Sequence, residues 1–254
     1  MNPTDISPAE WALRVDLACL FRINDHLGWE ESINTHSTVR LPGPEHHFLI
    51  NPFGLRLGEV KASDLIKIDL DGNVIGETRH PVNRAGYIIH SAIHLGREDA
   101  HCVIHTHSLA GMAVAASAEG LLLHNIFALG FHDGLSYHEF EGASGDHNPS
   151  ERERLASSLG PSNKAMILRN HGLLTVGEAV ADAFVWMYRL DRACKVQVMA
   201  NGTVGFAKPS RQAAAFSAKG AKDFASGYGA CAPGVLEFAA FKRLMDQIDP
   251  SFRD

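Results

Sequence analysis

Hydrophobic and polar positions along the chain follow two different periods. Short apolar runs that end at turn-forming residues predict strands, and apolar residues spaced three and four apart predict helices. The predicted strands lie within residues 31–39, 46–51, 65–70, 102–107, 165–168 and 173–176. The predicted helices cover residues 7–28, 83–95, 109–117, 178–200 and 235–245. Because strands and helices alternate, we predict an α/β fold with helices on both faces of a central sheet.

Residues at the element boundaries support this division. Ser7 followed by Pro8 and Glu10 is typical of a helix start, and Asp71-Gly-Asn73 between apolar runs predicts a hairpin.

His90 and His94 lie four residues apart on one face of a predicted helix and could meet. The simpler interpretation is two polar helix residues with no shared ligand. No Pro/Gly/Ser-rich linker divides the chain, so we expect residues 1–254 to form one domain. Within it, residues 205–254 are expected to be a peripheral helical tail.

Composition narrows the classes of function and the location. A formal net charge of −6 argues against nucleic acid as a partner. The four cysteines are far apart and form no C-x-x-C pair, which favours a reducing compartment and disfavours a thiolate zinc site. The polar N-terminus is unlike a signal peptide, and no apolar run approaches the ~20 residues that span a bilayer. We expect a cytoplasmic protein with a small-molecule substrate and no membrane partner.

Candidate chemistry centres on the segment 101–108, where an apolar run leads into His105 and His107. In an extended strand these two side chains project from the same face, so they could bind one metal ion together. His171 stands at a predicted turn between two apolar strands, where the following Gly172 leaves it free to point inward. Three histidines leave coordination positions open, as catalytic metal sites do. Imidazole suits zinc, which we expect first, and also manganese, iron or cobalt.

The motifs around these histidines resemble the class II aldolase/adducin family. They are His105-Thr-His107 and the segment 169–173, with the segments 33–37, 48–54 and 85–90 in the expected order. The resemblance covers about residues 11–200. It implies a three-layer αβα sandwich with a mixed sheet, and a divalent metal on His105, His107 and His171. It also implies a homotetramer with active sites between neighbouring subunits.

The chain departs from the sugar-phosphate aldolases of this family at the positions that bind phosphate in those enzymes. The positions of their phosphate-binding serines and acidic residue fall near Arg84, Ala85 and Gly86, so hydroxyls and acid are both absent. Arg84 could instead bind a substrate carboxylate through its guanidinium, or be a solvated charge at a helix start. Asn34 and Gly54 match substrate-binding positions that line the family's phosphate pocket, and both are also ordinary loop residues.

The proton donor also differs from that of the aldolases, whose tyrosine would fall near His124. No tyrosine stands there, so His124, Tyr137 and Glu139 are the candidates for catalytic proton transfer. A structural role is the alternative for each of them.

We therefore expect a metal-dependent lyase that catalyses retro-aldol cleavage or decarboxylation of a small carbonyl or hydroxy-acid compound through a metal-stabilised enolate. Two alternatives stay open. One is a non-catalytic binding module like the adducin head, and the other is an iron-dependent oxygenase, since Fe²⁺ and O₂ also fit an open three-histidine site.

Overall fold

The architecture is known from a computed structural model, which describes residues 6–142, 150–200 and 207–254. One seven-stranded sheet has the strand order β3-β2-β1-β4-β7-β6-β5. Strands β5 and β6 are parallel, and every other neighbouring pair is antiparallel, so the predicted mixed sheet is confirmed. The strands are β1 His36–Arg40, β2 Phe48–Ile50, β3 Ile66–Ile68, β4 Cys102–Thr106, β5 Leu135–His138, β6 Ala165–Leu168 and β7 Gly172–Gly177.

Eight α-helices surround this sheet within the described ranges. They are α1 Pro8–His26, α2 Arg84–Gly96, α3 Leu109–Ala116, α4 Ile126–Leu129, α5 Glu151–Leu159, α6 Val180–Ala200, α7 Arg211–Ala225 and α8 Val235–Ile248. Short 3₁₀ turns lie at Leu57–Glu59, Ala62–Asp64 and Pro250–Arg253. Among these helices, none combines the length and apolarity that crossing a bilayer would require.

The helices form two layers, one on each face of the sheet. Side chains of α1, α3, α6 and α8 share the larger apolar core, and those of α2 and α5 share a second core on the opposite face. Strand β4 contributes to both, because Ile104 packs into the first core and Val103 into the second. By the same alternation His105 lies on the α2 face. This places the predicted metal ligand and helix α2 on the same side of the sheet.

Capping side chains explain where α1 and α2 begin. Ser7 Oγ accepts a hydrogen bond from the Glu10 N–H (3.1 Å), as the sequence indicates, and Asn83 Oδ1 accepts one from the Gly86 N–H (3.1 Å). The predicted hairpin at Asp71-Gly-Asn73 is also present as a tight turn, with an antiparallel bridge between Ile68 and Val74.

The predicted strand at 31–39 is wrong in its first five residues, because β1 begins only at His36. Residues 31–35 instead form a turn, in which Ser32 has φ 50° and the Asn34 N–H donates to the Glu31 carbonyl (2.9 Å). This turn carries the Glu31 side chain to the end of strand β4, where it contacts His107.

The C-terminal segment after residue 207 is attached to the larger core. The Phe238 ring lies 5.8 Å from the Phe184 ring of α6, and Phe252 is fully buried. Helix α8 therefore helps to cover α1 and α6.

Candidate metal centre

His105, His107 and His171 come together at one edge of the sheet. His105 lies on β4, His107 follows the end of that strand, and His171 lies on the turn that joins β6 to β7. Since β4 and β7 are antiparallel neighbours, this turn lies directly beside the end of β4. One ring nitrogen from each histidine lies within 4.8 Å of the others. The predicted three-histidine cluster is thus present in the structure.

Gly172 lets the three rings approach one another. A Cβ at this position would lie 2.5 Å from the Thr106 carbonyl oxygen and 2.9 Å from Cδ2 of His107. The reason expected from the sequence, a relaxed backbone at Gly172, is not the main one, because the left-handed residue of the turn is Asn170 (φ 54°). Asparagine tolerates that conformation better than most residues do. Close packing, not an unusual φ, makes glycine necessary after His171.

Hydrogen bonds fix the orientation of two of the rings. His105 Nδ1–H donates to the Leu173 carbonyl (2.9 Å), and His107 Nδ1–H donates to the Glu31 carboxylate. In a neutral imidazole this leaves a lone pair on each Nε2. The two Nε2 atoms face each other 2.8 Å apart. Two lone pairs in this arrangement repel unless a proton or a metal ion lies between them, and together with His171 the donor set fits a divalent metal.

Burial keeps His105 and His171 in the neutral form that binds metals. Burial, with the neighbouring histidines, lowers the pKa of His171 to about 4 and that of His105 well below its ordinary value. Neutral imidazoles are therefore available near pH 7. The carboxylate on His107 and the carbonyl on His105 are the partners that commonly orient metal-bound histidines.

The predicted substrate-binding residues lie on loops and at a helix start. Asn34 is exposed on the turn before β1, and Gly54 is exposed after β2 with φ 105°, a conformation that favours glycine. No described contact joins either residue to the three histidines. Arg84 is the first residue of α2, and its side chain lies outside the described part of the structure. Their roles toward a substrate stay predictions.

The three candidates for proton transfer lie in different surroundings. His124 Nδ1–H donates to the Leu122 carbonyl (2.9 Å). The Tyr137 hydroxyl accepts from the Leu121 N–H (3.0 Å), and its ring centroid lies 4.3 Å from the Arg169 guanidinium. Glu139 is 87% exposed and shares a small recess with His171. Of the three, Glu139 is the one that lines a recess together with a candidate metal ligand, and the catalytic role of all three stays a prediction.

Sequence reasoning missed several polar residues on the α2 face of the sheet. His36 of β1 pairs with His105 in the strand register, and the two ring centroids lie 5.2 Å apart. Thr38 Oγ1 lies 2.7 Å from both His90 Nδ1 and His94 Nε2. His90 and His94 therefore share Thr38 as a hydrogen-bond partner, and the prediction that they hold no common ligand stays a prediction. Two sequence signals point to this cluster. His90 and His94 are four residues apart, and His36 and Thr38 are two residues apart in a strand.

Comparison with known proteins agrees with this fold and site. Residues 15–198 match the model of the "Class II Aldolase and Adducin N-terminal domain". The chain belongs to the class II aldolase and adducin family. A candidate class 2 aldolase of Caulobacter vibrioides is 50% identical over 198 residues, which are 77% of this chain and 75% of that protein.

Two solved structures of the family confirm the αβα fold. An aldolase II superfamily protein from Pseudomonas syringae has a TM-score of 0.90 and 38% identity, over 99% of this chain and 98% of its own. The L-fuculose 1-phosphate aldolase from Glaciozyma antarctica has a TM-score of 0.82 and 29% identity, over 96% of this chain and 93% of its own. The cluster of His105, His107 and His171 is consistent with the divalent metal site of class II aldolases.

Proposed function

We propose that this protein is a divalent-metal-dependent carbon–carbon lyase that cleaves a small hydroxy carbonyl compound by a retro-aldol reaction. The observation that carries the proposal is the convergence of the three histidines, two of them oriented by hydrogen bonds so that their bare Nε2 atoms face each other. Membership of a family that contains aldolases supports the same reaction class.

His105, His107 and His171 would hold the metal, with zinc expected first. When bound, the metal supplies Lewis acidity to the substrate carbonyl and stabilises negative charge on the carbon beside it. Glu31 orients His107 and increases its basicity, and the Leu173 carbonyl does the same for His105. These two partners keep the ligand atoms directed at one point before any metal arrives.

The cleavage requires two proton transfers. The substrate hydroxyl loses a proton as the carbon–carbon bond breaks, and the carbon that retains the electron pair then takes up a proton. Glu139 is the preferred group for one of these transfers, because it lines the recess beside His171 and is exposed to solvent. Tyr137 and His124 are the other candidates.

Metal content tests the proposal. We expect protein purified with zinc in the buffer to carry about one zinc per chain, and His171→Ala to lose it. The matched control is His101→Ala, which removes an exposed histidine before strand β4 and should keep the zinc. Circular dichroism of each variant checks that the fold is intact. A wild-type protein that folds but binds no metal would overturn the proposal in favour of an adducin-like binding module.

The product of the reaction separates retro-aldol cleavage from the alternatives. Small hydroxy carbonyl and hydroxy acid compounds are incubated with metal-loaded protein and with His171→Ala. We expect metal-dependent release of an aldehyde. Release of CO₂ without an aldehyde would show a decarboxylase, and metal-dependent O₂ consumption would show an oxygenase.

A further inference from the structure

A chain of hydrogen bonds runs between strand β1 and helix α2. His36 Nδ1 lies 2.7 Å from His90 Nε2, and His90 Nδ1 lies 2.7 Å from Thr38 Oγ1. Thr38 Oγ1 also lies 2.7 Å from His94 Nε2, and His94 Nδ1 lies 2.7 Å from the carbonyl oxygen of Ala100. All three histidines and the threonine are at most 5% exposed. This histidine relay therefore has little access to solvent.

The carbonyl of Ala100 decides where the proton lies at its end of the relay. A carbonyl oxygen only accepts, so His94 must carry its proton on Nδ1 and present a lone pair on Nε2. The Thr38 hydroxyl has one proton, which it must donate to that lone pair. Its oxygen is then left as an acceptor for the second histidine on α2, so His90 carries its proton on Nδ1.

The order of donors and acceptors continues toward the metal site. With its proton on Nδ1, neutral His90 has a lone pair on Nε2, and His36 must donate to it from Nδ1. Neutral His36 is therefore left with a bare Nε2. Burial lowers the pKa of His94 to about 3 and that of His90 well below its ordinary value, so these two rings are neutral near pH 7.

The bare nitrogen lies beside the candidate metal centre. The His36 ring lies 5.2 Å from the His105 ring, and its Nε2 edge packs against Gly86 in the first turn of α2. A Cβ at Gly86 would lie 2.4 Å from that Nε2. No described residue donates a hydrogen bond to it. His36 is not part of the three-histidine cluster, so its nitrogen is an acceptor next to the metal ligands and not one of them.

We propose that His36 is a substrate-binding residue whose Nε2 accepts a hydrogen bond from a substrate hydroxyl beside the three-histidine centre, and that Thr38 is the residue that fixes this tautomer. The proposal rests on the proposed function and names its substrate class. A bare imidazole nitrogen attracts a hydroxyl proton and repels phosphate or carboxylate oxygen. The group bound at this point is therefore a neutral hydroxyl, which agrees with the lack of phosphate-binding serines at Arg84-Ala85-Gly86.

The tautomer is tested in metal-free protein labelled with ¹⁵N-histidine. Long-range ¹H–¹⁵N correlation spectra distinguish a proton on Nδ1 from one on Nε2, and loss of signals in His36→Gln assigns that ring. We expect His36 and His90 to carry their protons on Nδ1 in the wild type and in Thr38→Ser. Thr38→Val should move both protons to Nε2, because His90 then lacks an acceptor at Nδ1 and donates to His36 instead. A proton on Nε2 of His36 in the wild type, or no change in Thr38→Val, would overturn the proposal.

A second measurement tests the hydroxyl directly with zinc-loaded protein. Glycolate and acetate differ by one hydroxyl, and calorimetry measures their affinities. We expect wild type and Thr38→Ser to prefer glycolate, and Thr38→Val to lose on the order of tenfold of that preference, the value of one hydrogen bond, with zinc affinity unchanged. A preference for glycolate in Thr38→Val that is as large as that of the wild type would overturn the proposal. If zinc does not bind at all, the proposed function fails, and the tautomer measurement still decides the relay.

Discussion

Two glycines, Gly86 and Gly172, leave room for the imidazoles of the site. A Cβ at Gly172 would meet Thr106 and His107, and a Cβ at Gly86 would meet His36. Neither glycine has a positive φ, so close approach of a ring is what each position requires. A helical glycine with open space around its Cβ position should instead gain stability when it is replaced by alanine.

Alanine substitution at two helical glycines tests this contrast. Apart from the backbone of its own helix, Gly220 in α7 has no atom within 4 Å of its Cβ position, so Gly220→Ala should stabilise the protein by about 0.5–1 kcal/mol. Gly86→Ala should instead destabilise it by about 1–3 kcal/mol, because His36 must move within a packed core. Urea unfolding of metal-free protein measures both. Stabilisation by Gly86→Ala would show that His36 does not occupy the position described.

At the scale of elements, strand β1 and helix α2 bury three neutral histidines between them. The pKa values of His36 and His94 are lowered to about 3, and that of His90 lies well below its ordinary value, whereas unfolded histidine titrates near 6.5. The unfolded chain therefore binds more protons below about pH 6.5. The stability that these neutral histidines contribute is fully present above that pH and is lost as the pH falls from about 6.5 toward 3.

Acid unfolding of metal-free protein tests the buried relay. Each neutral histidine should contribute a slope of about 1.4 kcal/mol per pH unit to the free energy of unfolding once its unfolded form is protonated. His94→Gln should reduce the slope by about that amount. His26→Gln, at an exposed position, is the control. A slope that is the same for wild type and His94→Gln would contradict the neutral state of His94.

The element scale also shows what the sequence could and could not predict. The alternation in β4, the turn at His171 and the helix from 83 to 95 were predictable because each depends on local periodicity. The meeting of His36 with His90 was not, because it depends on the antiparallel pairing of β1 with β4 and on the side of the sheet that α2 covers. The sequence pattern predicts Glu31 in a strand, and the turn at Ser32 instead places it beside His107.

At the scale of the whole molecule, His107 and His171 are partly exposed on the single chain, and His105 is buried behind them. His107 is 16% exposed, and the recess beside His171 is small, whereas a larger cavity, of about 720 Å³, is lined by Trp11, Arg14 and His80. A substrate held at the histidines therefore needs further walls. The family resemblance suggests that a neighbouring subunit supplies these walls. The cytoplasmic location is a separate matter and stays a prediction.

The mass of the particle in solution tests this assembly. We expect light scattering coupled to gel filtration to give the mass of about four chains of 27.6 kDa each. A monomer that binds zinc and turns over substrate would contradict the shared-site assembly and leave the metal centre unaffected.

The central claim is that one metal ion binds His105, His107 and His171 together. Anomalous scattering at the zinc absorption edge, from crystals grown with zinc, tests it most directly. We predict one strong peak about 2.0–2.1 Å from one ring nitrogen of each of the three histidines. A zinc-containing crystal with no peak at these residues, or with a peak held by other side chains alone, would contradict the account.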